Sequence, residues 1–478
     1  MALLPIFPPL AALLLLLLLL LFYRKKKKTN LPPGSYGWPV LGETLAFLSA
    51  SRQGQPHKFA LDRIAKHGRG RSKIFKTSLL GEKMVVFCGP SALKFLFSNE
   101  NKLVNVWWPR STQLLLRTSL VTLVGDDAKR VRRLLFSFLN LDALSRYIQV
   151  VDHATHLHIT SQWQGKEELK VYPTVKVHTF ELACRLFMSV DDPQLVSLLN
   201  EHFHFFLKGV ISIAAYFPGT SYYRATKATK AIRKELGQIV RRRRVALEQR
   251  AALPTQDLLS YLLVTADEDG RFLTEEEIVS NILLLLFAGH DTSTCAITVI
   301  MKYLAEMPEV YDKVLEEQRG IASSKGPGDF LNRGDLQKMK YSWNVISEVM
   351  RLTPPVTGSY RQAIADFDYE GYTIPKGFKI MWSAAAHHRD PSNFPDEANF
   401  DPSRFEGAGL APYAYVPFGG GPRMCLGLEF ARLETLVFLH HLVTSFRWEM
   451  MVPGEKVIFD PMPVPAEELP IRLRPHTA

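Results

Sequence analysis

Whatever this chain folds into has to accommodate ten residues near its C-terminus: Phe418-Gly419-Gly420-Gly421-Pro422-Arg423-Met424-Cys425-Leu426-Gly427. One cysteine follows a glycine-rich turn, with a cation two residues before it. Leu426 to Val443 then reads as an apolar helix. A helix N-terminus points backbone N–H groups at the sulfur and favours thiolate. The three glycines let the backbone pass close to a flat ligand without Cβ clashes. A thiolate presented in this way can be the fifth ligand of a haem iron, pushing electron density toward O–O cleavage. The alternative is a turn before a helix, with Cys425 a small buried hydrophobe.

A second segment carries chemistry. Glu275 to Met307 reads as one long apolar helix with Ala288-Gly289-His290-Asp291-Thr292-Ser293 at its centre. A charge and two hydroxyls there are costly unless they serve something. Ala288 and Gly289 are small enough for another group to approach. Thr292 can bond back to a carbonyl near Ala288 and open the helix locally. A polar notch satisfied by its neighbours is the alternative. A third helix, Tyr341 to Leu352, sets Glu348 and Arg351 three residues apart on one face. By itself that spacing is an ordinary helix pair.

The chain has 478 residues, 47% of them hydrophobic, ample for a large core. No Pro/Gly/Ser-rich linker divides it after residue 35, so one catalytic domain over 36–478 is expected. The four cysteines, Cys88, Cys184, Cys295 and Cys425, lie far apart, which argues against a disulfide framework or zinc site. Of the formal charge of +11, Arg24 to Lys28 supply five units. Arg241 to Arg244 form a second cluster, read as a solvated helix face. Bases and aromatics are not interleaved as on a nucleic-acid surface, so nucleic acid is excluded as a partner.

Residues 1–23 read as a membrane anchor and 24–35 as a basic, proline-rich hinge. Leu10 to Tyr23 is uninterrupted apolar sequence. Extended back to Ala2, it makes a helix of about 33 Å, enough for the roughly 30 Å hydrocarbon core. A cleaved signal peptide would carry its positive charge before the apolar run, whereas here the charge follows it. The positive-inside rule puts Arg24 to Lys28 and the catalytic domain in the cytosol, with the N-terminus lumenal. The span suits a thin bilayer such as the endoplasmic reticulum. Leu31-Pro32-Pro33-Gly34 is a stiff exit turn.

A coarse pass predicts a helix over 57–67 and two strands, Lys73 to Ser78 and Lys83 to Cys88, turning at Gly81. Mostly helical sequence runs from 127 to about 320. Short strands over 356–385 turn at Gly358, Gly371 and Gly377, and 389–417 is irregular. The class is mainly α with small β-sheets.

The C-terminal run resembles the haem-binding loop of the cytochrome P-450 superfamily, FxxGxRxCxG, at Phe418, Gly421, Arg423, Cys425 and Gly427. Ala288, Gly289, Asp291 and Thr292 resemble its (A/G)GxDT motif. Glu348 and Arg351, with Arg404 in Phe400-Asp401-Pro402-Ser403-Arg404-Phe405, resemble its Glu-Arg-Arg clamp. The resemblance implies the cytochrome P-450 fold, a haem b cofactor with Cys425 as axial ligand, and NADPH used through a cytochrome P-450 reductase. It gives Thr292 the role of steadying the oxygen to be activated, and Asp291 a part in relaying protons. It makes Arg423, Arg361 and Arg132 partners of the haem propionates. Ala128 stands where the pattern WxxxR has tryptophan, and Lys129 is a candidate substitute.

Other stretches resemble plant triterpenoid oxidases related to β-amyrin 28-oxidase, among them Leu31 to Thr44, Phe75 to Leu79, Asn101 to Val104 with Trp107-Trp108-Pro109, the 413–434 region, and Leu469 to Leu473. Leu426 and Leu428 depart from the residues usual there. The resemblance implies a monooxygenase acting on a small hydrophobic terpenoid, a triterpene of the β-amyrin, lupeol or dammarane type. A taxane-type diterpenoid or a steroid is the alternative. A haem-thiolate isomerase or a non-catalytic haem carrier would have less use for Asp291 and Thr292. The expected pocket walls are Trp107, Trp108, Leu114 to Leu116, Leu283 to Phe287, Pro354 to Val356 and Pro461 to Pro463.

Overall fold

A computed structural model describes residues 30–68, 72–326, 328–407 and 409–476. The expected membrane anchor, its basic halt and residue 29 lie outside the described residues. The helix Glu275–Glu306 is long and apolar enough to cross a membrane, but it is largely buried as the central core helix.

The helices that matter for the site are α1 (Pro90–Ser98), α2 (Gly125–Leu139), α3 (Val171–Met188), α4 (Pro193–Val210), α5 (Ser221–Glu248), α6 (Glu275–Glu306), α7 (Lys340–Leu352) and α8 (Leu428–Ser445). Around α6 pack α3, α5, α7 and α8. The start of α6 is fixed by a capping box: the Thr274 side chain accepts from the Glu277 N–H, and Glu277 reaches back to the Thr274 N–H. Glu275, Glu276 and Glu277 in its first turn complement the helix dipole. The main core runs from Leu115 through the α3–α6 helices to Leu473.

A five-stranded sheet stands beside this helical body. Its strands are β1 (Ile74–Leu79), β2 (Glu82–Phe87), β3 (Val104–Val106), β4 (Gly358–Ala363) and β5 (Lys379–Ser383), in the spatial order β1-β2-β5-β4-β3. The β2–β5 pair is parallel and the others are antiparallel. The exit turn is tied to this sheet, where Pro33 O accepts from Lys76 N at 2.8 Å.

Three expectations change. The helix after Cys425 begins at Leu428, with Gly427 as its cap, so the cysteine sits on the preceding turn. Gly358 opens β4 and is not a turn residue; a Cβ there would lie 2.1 Å from the Trp382 carbonyl oxygen, so the two strands meet closely only because it is glycine. Of the expected pocket walls, Leu115, Leu116, Leu283, Leu284 and Leu286 are core residues. An apolar run on a helix has one face per turn, and most of these side chains take the inward one.

Candidate functional site

The turn carrying Cys425 is closed by backbone bonds: Cys425 N donates to Phe418 O at 2.9 Å, and Met424 N to Gly421 O at 3.0 Å. The glycine requirement here has a source inside the protein. A Cβ on Gly420 would come within 2.6 Å of the Phe97 ring, and one on Gly421 within 2.7 Å of the Phe97 carbonyl oxygen. Gly421 also has φ +64°, a conformation that favours glycine. The loop is therefore pressed on the end of α1. Cys425 keeps an accessible surface although burial raises its thiol pKa, an effect that the Gly427 N–H and the Arg132 cation oppose. Burial outweighs the backbone N–H, so full thiolate character would come with a bound metal cation.

Two arginines reach the neighbourhood of this loop from other elements, and a third, Arg423, belongs to the loop itself. Arg132, on α2, donates through Nη2 to Met424 O at 2.6 Å. Arg423 donates to Leu120 O at 3.1 Å and Leu123 O at 2.6 Å. Arg361, on β4, donates through Nε to Glu100 Oε2 at 2.5 Å. The other oxygen of Glu100 lies 3.4 Å from Arg423 Nε. Lys129 does not join them: it pairs with Asp126 at 2.8 Å on the exposed side of α2. Ala128, one residue earlier, is buried.

At the middle of α6, Leu285, Ala288, Gly289 and Thr292 keep accessible surface, while Leu286, His290, Asp291 and Ser293 are buried. The spacing i, i+3, i+4, i+7 makes the open residues one stripe. Thr292 Oγ1 donates to Ala288 O at 2.6 Å. Asp291 faces away from that stripe, toward α3, with Lys176 Nζ 3.2 Å from its Oδ1. Tyr172, beside it, is pushed well above the usual phenol range by burial and by the Asp291 carboxylate. A Cβ on Gly289 would be in ordinary contact with Phe187 and Phe430, so the packing of α3 and α8 on α6 does not itself demand glycine there.

Glu348, Arg351 and Arg404 form one network. Arg351 donates Nε to Glu348 Oε2 at 2.6 Å and Nη2 to Oε1 at 2.8 Å. Arg351 also reaches His388 O, Glu397 O and Asn399 O. Arg404 Nε lies 3.4 Å from Glu348 Oε1, and its Nη atoms hold Pro395 O and Asp396 O. This network fastens the irregular 389–417 segment, which leads to the cysteine turn, onto α7.

These residues fit a haem. An accessible thiol sits on the loop, arginines lie beside it, and α6 keeps a stripe of accessible residues in which Ala288, Gly289 and Thr292 are small. Glu100, Lys176, Tyr172 and Phe97 are absent from the sequence reading. No spacing marks the first three, and Phe97 betrays itself only as one more apolar residue of a short helix. The one available hint for Glu100 was its place just before Asn101 to Val104.

Comparison with known proteins shows the family. The Cytochrome P450 family profile matches residues 32–472. Beta-amyrin 28-monooxygenase of Vitis vinifera is 52% identical over 447 residues, covering 94% of this chain and 92% of the relative. Beta-amyrin 28-monooxygenase of Solanum lycopersicum is 52% identical over 446 residues, covering 93% of each chain. Among solved structures, retinoic acid bound cyanobacterial CYP120A1 superposes with a TM-score of 0.84 at 33% identity, covering 94% of this chain and all of that one.

Proposed function

This chain belongs to the cytochrome P450 family, and we propose from that premise that it is a membrane-anchored monooxygenase of a triterpene scaffold of the β-amyrin type, acting at the carbon named in its relatives. The observation that carries the substrate assignment is 52% identity over 94% of the chain to a beta-amyrin 28-monooxygenase.

The cofactor is haem b, which when bound activates O2 for insertion of one oxygen atom into a C–H bond. We assign Cys425 to ligate its iron, and Arg132, Arg361 and Arg423 to hold its propionates. Thr292 supplies a hydroxyl on the open stripe of α6. Because that hydroxyl already donates to Ala288 O, it is free to accept a bond from the oxygen side of the site. We assign Asp291, paired with Lys176 on the α3 side of the helix, to proton supply from solvent; its side chain turns away from Thr292, so the two act without direct contact. Glu348, Arg351 and Arg404 hold the cysteine segment in place without touching substrate.

The substrate needs a large dry surface, since a polycyclic terpene gains its affinity from apolar burial and its orientation from few polar contacts. We assign its walls to residues with open surface among the aromatic and aliphatic candidates: Trp107, Trp108, Leu114, Leu285, Phe287 and Val356. Residues 1–23 anchor the chain in the endoplasmic reticulum, where such substrates partition, and residues 24–35 act as the basic and proline-rich hinge. An NADPH–cytochrome P450 reductase supplies electrons at the cytosolic face.

Two measurements test this reading. Reduced, CO-bound protein should show the thiolate-type absorption band, and Cys425→Ala should abolish it. Yeast carrying a β-amyrin-forming cyclase, a reductase and this chain should accumulate a hydroxylated or carboxylated triterpene. Turnover of a diterpene with none of any triterpene would overturn the scaffold assignment.

A further inference from the structure

Glu100 is a carboxylate in the interior, only 5% exposed, at the turn between α1 and β3. It touches both Arg361 and Arg423: Oε2 accepts from Arg361 Nε at 2.5 Å, and Oε1 lies 3.4 Å from Arg423 Nε. Oε1 also accepts from Val106 N at 3.1 Å. The turn itself is fixed, because Asn101 N donates to Val104 O at 2.7 Å, and Gly125 N donates to the Asn101 side chain at 3.3 Å. Val106 and Arg361 are partners across the β3–β4 ladder, so the carboxylate and the guanidinium share one frame.

A buried carboxylate is out of place in a site for an anionic group unless it does something for the cations there. The donors show what it does. Arg361 uses Nε on Glu100 and Nη1 on Tyr360 O, and its Nη2 makes no hydrogen bond among the described residues. Arg423 uses Nη1 and Nη2 on the Leu120 and Leu123 carbonyls and turns Nε to Glu100. Each guanidinium is thus held on one edge by Glu100 and on another by backbone oxygens. The charge also balances: Arg132, Arg361 and Arg423 less Glu100 leave +2, matching two propionates.

We propose that Glu100 is the positioning residue of the haem-carboxylate cradle, fixing the orientation of Arg361 and Arg423 and setting the cradle's charge to match the two propionates. This rests on the assignment of those arginines to the propionates. Glu100 touches neither substrate nor reacting atoms; it acts through its two partners. Supporting groups of this kind commonly change cofactor affinity by about 10–100-fold when lost.

The experiment compares purified holoenzyme with Glu100→Gln, Arg361→Gln and the double variant. Haem transfer to excess apomyoglobin is timed, and the ferric/ferrous midpoint potential is measured by spectroelectrochemistry. Glu100→Gln keeps the side chain's shape and removes its charge. It should speed haem transfer by about 10-fold or more. It should also move the potential positive, because a fixed negative charge near the cofactor is gone. Arg361→Gln should speed transfer too, and the double variant should exceed Arg361→Gln only by the part that Glu100 exerts through Arg423, well short of the product of the two single effects. The double variant also covers a failure of Glu100→Gln to fold, since it leaves no unpaired Arg361. Wild-type transfer and potential in Glu100→Gln, beside fast transfer in Arg361→Gln, would overturn the positioning role while leaving the cradle intact. Additive acceleration in the double variant would overturn it as well. Wild-type transfer in Arg361→Gln would overturn the cradle assignment and this inference with it.

Discussion

Arg351 grips Glu348 through two hydrogen bonds of 2.6 and 2.8 Å, and neither side chain has any exposed surface. Removing one member of such a pair leaves a charge unpaired in the interior, at a cost of about 3–5 kcal/mol. Glu348→Gln and Arg351→Leu should each lower stability by that amount and yield largely haem-free protein. Arg404 is less deeply buried and sits 3.4 Å from the carboxylate, so Arg404→Gln should cost less than either. Chemical denaturation and the CO-difference band check the ranking. An Arg404 variant worse than an Arg351 variant would contradict it.

Thr292 stands apart from that frame, on the open stripe of α6, with its hydroxyl bonded to Ala288 O at 2.6 Å. Thr292→Ala should bind substrate nearly as before, because it removes one small polar group. Product formation per NADPH consumed should fall by about 10-fold or more, with the electrons appearing as hydrogen peroxide. NADPH use, product and peroxide measured together decide it. Unchanged coupling would remove Thr292 from the proposed proton path.

The parts of the site legible in the sequence are those whose chemistry imposes a spacing. Glu348 and Arg351 meet because they stand three apart on a helix, and Ala288, Gly289 and Thr292 interrupt an apolar helix with small accessible residues. Glu100 and Lys176 obey no such rule. Each is brought to its partner by tertiary packing, from 261 and 115 residues away in sequence, so nothing local marks it. The cysteine loop lies between these cases. Its glycines were visible, but one reason for them, the Phe97 ring and carbonyl, belongs to a helix some 320 residues earlier. The apolar run Leu283 to Phe287 reads as a wall because composition does not say which way a side chain points. The helical period does, and it turns Leu283, Leu284 and Leu286 into the core.

His387 should make the fold acid-sensitive. Its ring is buried, with Nε2 2.8 Å from the Tyr413 carbonyl oxygen and Nδ1 3.4 Å from the Asn393 amide nitrogen. Nε2 donates to the carbonyl and Nδ1 accepts from the amide, an arrangement only the neutral ring satisfies. Burial lowers its pKa to about 4, against about 6.5 in an unfolded chain. The unfolded state therefore binds the proton first as pH falls. The stabilisation is whole above pH 6.5 and is lost as pH drops toward 4, up to about 3 kcal/mol from this group. His387→Gln should flatten that part of the stability profile. His158 and His440 have pKa values depressed to about 4 by the same burial and will keep part of the slope. A variant with the full native slope between pH 6.5 and 4 would show that His387 is not among the responsible groups.

Glu434 should act in the opposite direction. It lies on α8, 1% exposed, and neither carboxyl oxygen has a hydrogen-bond partner among the described residues; the Ser293 hydroxyl of α6 favours its charge less than burial opposes it. Burial pushes its pKa up to about 8. The folded protein therefore keeps a proton that the unfolded chain gives up near pH 4.5. Stability from this group is full below that value and falls as pH rises through about 8, because the fold comes to hold an uncompensated buried carboxylate. Glu434→Gln keeps the volume and cannot ionise. It should match the native protein near pH 5 and exceed it by several kcal/mol at pH 8.5, a difference readable from urea midpoints at the two pH values. Parallel loss of stability in native and variant protein between pH 5 and 8.5 would show that Glu434 already carries its charge at neutral pH.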